Sequence, residues 1–207
     1  MDAQRVAYAQ LFPQAPVGPE GRAILLSSFS STGAPLSART IPARTPRELS
    51  GVAVEAGVFA VGASERLSSG GFSEEHPDLF FASGPLVGSA DAVVVRAVDL
   101  DRDDVPTAFL RCGVGRYCFA GQTAFEPSPT GPAWTERQGF VLAVDGQGAR
   151  QDLLLLQGPR DTEVTQAAEG PGGSVVFAFD TDEPVDAARV ANLLERNASW
   201  LGVFGGP

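Results

Sequence analysis

Asp99, Asp101 and Asp103 stand at alternate positions, the spacing with which an EF-hand calcium loop begins. The pattern fails at its sixth position, where Asp104 replaces the turn glycine. It fails again at the twelfth, where Leu110 replaces a bidentate glutamate. A solvated acidic strand exit is expected there instead. His76, the lone histidine, lies between Glu75 and Pro77, with Ser68, Ser69 and Ser73 upstream. A Glu–His pair can act as general base and a serine as nucleophile. No spacing fixes these groups against one another, so a hydrolase in this loop trails the other functions considered below. Cys112 and Cys118 flank Gly113-Val114-Gly115, and on a hairpin their Cβ atoms can come within bridging distance. A cytosolic chain keeps thiols reduced, so two buried free thiols are expected. Gly113-Val114-Gly115 lacks the third glycine of a dinucleotide fingerprint and runs into a strand rather than a helix, which removes that function.

The composition narrows the chemistry further. No lysine occurs among the 207 residues, which excludes Schiff-base catalysis and a Walker-type phosphate lysine. A single histidine excludes a multi-histidine metal site within one chain. The net charge of −10 opposes binding to phosphate backbones, so no nucleic-acid partner is expected. Arg39, Arg44 and Arg47 lie close together and are taken as surface arginines beside a proline-rich turn. No basic-then-apolar leader and no apolar stretch of about 20 residues is present, so neither export nor a membrane span is expected and a cytoplasmic location follows.

These residues must be carried by extended elements. The stretch from Gly139 to Leu156 holds two apolar runs, Phe140 to Val144 and Leu153 to Leu156, separated by Asp145-Gly146-Gln147-Gly148. Both are short and apolar, which predicts buried paired strands at the centre of the domain. Asp-Gly and Gly148 are expected to supply the positive φ angles of the reversal. Strands are also predicted over Arg22–Phe29, Leu36–Ile41, Val58–Val61, Asp78–Ala82, Ala92–Leu100, Thr107–Arg111, Arg116–Ala120, Val175–Phe179 and Trp200–Phe204. Asp2 to Phe12 reads as a short helix and Thr162 to Ala168 as a helical turn. Thr181 or Asp182 caps a C-terminal helix whose stripe is Ala187, Val190, Ala191, Leu194 and Ala198. Ser64 to Pro77 reads as a long exposed loop.

The order of strand Arg22–Phe29, turn at Gly33, strand Leu36–Ile41 with Arg39, and strand Val58–Val61 before Ser64-Glu65-Arg66 resembles the opening of the pyridoxamine-phosphate-oxidase-like split β-barrels. In that family such segments help bind the flavin phosphate, so the resemblance implies FMN as cofactor, held by Arg39, Ser64 and Arg66. The lysine that follows this serine in some members is absent here.

The expected fold is mainly β (or α+β), with antiparallel sheets forming a sandwich or barrel and one packed C-terminal helix. One domain is expected over residues 1–207, with an N-terminal arm over 1–20 and an internal loop over 126–133. The expected function is a non-catalytic structural or protein-interaction subunit of a larger assembly, with no cofactor and no catalytic residue. Its partner is another protein or a second copy, met through Trp200, Leu201, Val203 and Phe204. A flavin-binding split barrel is the alternative.

Overall fold

The computed structural model describes residues 23–42, 46–67, 76–86, 92–100, 103–124, 137–156, 161–181 and 198–204. Strands β1 (Ala23–Phe29) and β2 (Pro35–Pro42) form a hairpin. A second sheet holds β3 (Pro46–Glu55), β4 (Val58–Leu67), β5 (His76–Pro85) and β6 (Val94–Val98) in that order. The third contains β7 (Asp103–Arg111), β8 (Arg116–Ala124), β9 (Arg137–Asp145) and β10 (Arg150–Leu156), again as consecutive neighbours. The fourth contains β11 (Thr162–Glu169), β12 (Val175–Thr181) and β13 (Ala198–Phe204). Every pairing among the described strands is antiparallel.

Strand alternation sorts the apolar side chains into three slabs between four layers. Ile41, with Ile24 and Leu26 beside it, packs on Phe59, Val61, Ala63, Phe80 and Ala82, joining the hairpin to the second sheet. The opposite faces of β4 and β5 send Ala60, Leu79 and Phe81 against Phe109, Tyr117, Phe119, Phe140, Leu142 and Val144 of the third sheet. The far face of the third sheet then sends Cys118, Ala120, Val141 and Ala143 against Val164, Val175 and Phe177. The two middle sheets are therefore covered on both sides, and their central strands carry unbroken apolar runs for that reason. Gly62 lets the middle slab close, because a Cβ there would overlap the Phe109 ring. Phe109 in turn lies 4.8 Å from Phe119 and 6.1 Å from Phe81, centroid to centroid.

The mainly β, antiparallel expectation holds, and Trp200–Phe204 falls within edge strand β13. β9 lies inside its sheet as expected, whereas β10 is an edge strand and only half covered. Thr162–Ala168, expected to turn as a helix, belongs to strand β11. Its inward Thr162 and Val164 supply the alternation that a strand on the last slab needs. Ala198, expected to end a helical stripe, opens β13 and pairs with Thr181. The rest of the expected C-terminal helix, the N-terminal helix and the 126–133 loop lie outside the described residues. The expected loop between Ser64 and Pro77 is shorter at both ends, since β4 runs to Leu67 and β5 starts at His76.

The thiol expectation is overturned. Cys112 and Cys118 form a disulfide, with Cα atoms 5.8 Å apart. The three-residue turn 113–115 brings them together: the Cys112 N–H donates to the Arg116 carbonyl, and Gly115 takes φ +62°. Among the described residues no helix is long and apolar enough to cross a membrane.

Candidate functional site

Three places gather residues of functional type, and local sequence explains each. The first is the pole where the β3–β4, β7–β8, β9–β10 and β11–β12 turns meet. Ala56 and Gly57 both take positive φ, making a two-residue reversal that returns β3 beside β4. This aims Glu55 at the neighbouring turn. One Glu55 oxygen accepts from Arg111 Nη1 at 3.1 Å, and the other accepts from the Gly115 N–H at 3.1 Å. Arg111 also donates to Glu169 Oε1 through Nη2 at 2.7 Å and Nε at 3.1 Å. One guanidinium thus links the second, third and fourth layers. Hydrogen bonding to Glu169 raises the Arg111 pKa further above its usual value, with the charges of Glu169 and Glu55 adding to it. Tyr117, beneath this network, is also raised, by burial first and by the Glu55 charge second.

At the same pole, Gly146-Gln147-Gly148 joins β9 to β10. Gly148 takes φ +73°, and a Cβ there would crowd the Phe81 ring at 2.7 Å. Gly146 is not among the positive-φ glycines, so the Asp-Gly pair works differently from the sequence expectation. Asp145 Oδ1 instead accepts the Ala149 and Gln147 N–H groups at 2.9 and 2.8 Å. These bonds, led by that from Ala149, hold the Asp145 carboxyl below the usual aspartate range. Val114, at the disulfide-closed tip, is 95% exposed.

The second place is acidic. Asp78 from β5, Asp99 beyond β6 and Asp104 from β7 offer carboxylate oxygens within 4.8 Å of one another. Asp78 and Asp104 are buried, and Asp99 is exposed. Oxygen donors of this kind suit a hard cation such as calcium. Asp104 Oδ2 also has a structural task, accepting the Leu100 N–H at 2.7 Å and so holding the β6–β7 connection. The residue that spoils the EF-hand spacing is the one that joins the cluster. Asp78 was missed because it comes from another strand, and Asp101 lies outside the described residues.

The third place is an apolar row on the outer face of edge strand β3. Cross-strand register sets Leu49 opposite Ala63, Val52 opposite Val61 and Val54 opposite Phe59. All three therefore share the face that the hairpin covers over β4 and β5. Over β3 that cover ends, leaving Leu49 60%, Val52 52% and Val54 55% exposed.

Of the residues carried over from the flavin resemblance, the described side chains of Arg39 and Ser64 lie on different sides of the second sheet. Arg39 points inward from the hairpin, 5.5 Å over the Phe59 ring, with Nη2 donating to the Leu86 carbonyl at 3.2 Å. Ser64 is also buried, but it shares strand parity with Ala60 and faces the other slab. The second sheet stands between them. Arg66 lies in β4 opposite Pro77, and His76 opens β5 opposite Leu67. Trp200, Leu201, Val203 and Phe204 lie in β13, where Trp200 pairs with Phe179 and Phe204 with Val175.

No protein-family model matches the chain. No curated protein matches it either.

Proposed function

We propose that the chain is a non-catalytic protein-interaction subunit that docks a partner through the outer face of β3. The observation that carries this is the row Leu49, Val52 and Val54, three large apolar side chains left open along one edge strand. A contiguous exposed apolar row at a sheet margin is costly in water and fits a surface that a partner covers. β13 gives the proposed assembly a second edge through Trp200, Leu201, Val203 and Phe204. The ionisable groups of the turn pole support a structural role, since Arg111, Glu55 and Glu169 are engaged in bonds between layers. The disulfide supports an oxidising compartment as the working environment, in place of the cytoplasm expected from the sequence.

The test is a pair of charges on the row. Val52→Glu with Val54→Glu is expected to keep the far-ultraviolet spectrum. It is also expected to abolish the assembly that the parent protein forms, measured as mass by light scattering after size exclusion. Unchanged assembly in the folded double variant overturns the proposal. Calorimetric titration with FMN addresses the flavin alternative, for which a null result is expected because the second sheet separates Arg39 of the hairpin from the Ser64 side chain.

A further inference from the structure

The end of the third sheet away from the turn pole holds two buried oxygens with no hydrogen-bond partner among the described residues, Thr123 Oγ1 and Gln138 Oε1. Thr123 itself is 0% exposed. A buried polar atom left this way is rare in a folded protein and calls for a group that satisfies it. Strand register explains where both oxygens stand. Thr123 of β8 lies opposite Asp104 of β7 on one side and opposite Gln138 of β9 on the other. Cross-strand partners share a face, and Thr123 has the strand parity of Tyr117 and Phe119. The row Asp104, Thr123, Gln138 therefore faces the second sheet. A bulge between Pro106 and Ala108 bends β7 beside it, and Gly121 makes room, because a Cβ there would overlap the Val105 carbonyl. The second sheet contributes Asp78 from β5 and Asp99 just beyond β6, whose carboxylate oxygens and that of Asp104 all lie within 4.8 Å of one another.

We infer that Asp78, Asp99, Asp104 and Thr123 form a calcium site, with Gln138 Oε1 accepting from one of the waters that complete the shell. Two oxygens bound to one calcium ion at about 2.4 Å stand at most about 4.8 Å apart, so the carboxylate spacing admits a shared ion. Every donor is a hard oxygen. Calcium accepts an irregular shell of carboxylates, other oxygens and waters, whereas magnesium demands a near-ideal octahedron. Asp99 is exposed and gives the ion a way in, while Asp78 and Asp104 are buried. The ion ties the second sheet to the third at the end opposite Arg111. It also steadies the β6–β7 connection, which Asp104 holds through the Leu100 N–H. The site is separate from the β3 face, and neither proposal depends on the other.

Calcium titration of the full chain, freed of divalent ions with a chelator, tests the inference. Calorimetry is expected to show one site with a Kd below about 1 mM. At about 10 mM, calcium chloride is expected to raise the Tm by about 3 °C or more, and magnesium chloride by less than half as much. Asp99→Asn removes a charged ligand at the exposed wall and is expected to weaken calcium binding by about tenfold or more. Thr123→Val replaces the hydroxyl with a methyl of the same shape. Its calcium-free form is expected to melt no lower than the parent, while its calcium affinity falls several-fold. That split separates a ligand from a hydroxyl that only supports the fold. No binding heat, an equal response to magnesium, or a calcium affinity that either variant leaves unchanged overturns the site.

Discussion

The turn pole and the acid pole both collect carboxylates at strand ends, yet they do opposite things with them. At the turn pole Glu55 and Glu169 meet Arg111, whose fork reaches both, and the remaining Glu55 oxygen takes a backbone N–H. Charge there is paired across three layers and tolerates solvent. At the acidic cluster Asp78, Asp99 and Asp104 bring carboxyl oxygens within 4.8 Å of one another, and Asp78 and Asp104 are buried. The first arrangement joins sheets at modest cost because its members stay partly hydrated. The second gathers carboxyl groups largely away from water, where Asp104 spends one oxygen on holding the Leu100 N–H of the β6–β7 connection. Similar residue counts therefore say little. Partner sign and burial decide.

Substitutions can break this contrast. Asp104→Ala is expected to have the largest effect, a loss of about 2 to 3 kcal/mol, because the Leu100 N–H loses a charged acceptor in a partly buried connection. Chemical denaturation measures it, and a loss below that of the turn-pole variants would reverse the ranking of the poles. Cys112→Ala with Cys118→Ala comes next. Closing so short a loop is worth about 2 kcal/mol by chain entropy. Alkylation without reduction should leave the parent mass unchanged, and a shift of two adducts would show free thiols.

Ala56 offers a gain instead. It sits at φ +47° without the freedom of glycine, so Ala56→Gly is expected to stabilise by about 1 kcal/mol in thermal melts. The smallest effect concerns acid. The folded carboxyl of Asp145 titrates below its unfolded value, so its contribution is present above the usual aspartate pKa and disappears as pH falls through the depressed folded value. Asp145→Asn should therefore be less stable than the parent at neutral pH, with the gap closing in strong acid. No gap at neutral pH would mean that the turn is held by the backbone alone.

How far the sequence revealed these regions follows from distance along the chain. The runs Phe140–Val144 and Leu79–Ala82 were legible as buried strands because both faces of each are apolar. The three-residue turn at 113–115 was legible from its glycines. β7 was seen only from Thr107 onward, because Pro106 looks like a strand end; on an edge strand proline is tolerated, and β7 is one. β3 was missed for a similar reason. It starts at Pro46 and carries Gly51 and Glu55, whose purposes appear only once Phe109 and Arg111 stand opposite. The apolar row was hidden because alternation shows which residues share a face, not where the hairpin's cover ends. The disulfide was geometrically legible and was set aside on an assumption about compartment.

The layered stack has a further consequence for how the molecule opens. Among the described residues its outermost ply is a two-stranded ribbon, an element that has little stability in water without a partner surface. Peeling that ribbon away would uncover Phe59 and Phe80 while leaving the Phe109 and Cys112–Cys118 slabs intact. The first excursion from the native state would then be a delamination rather than a melting, and it would widen the same greasy margin that β3 already shows to solvent.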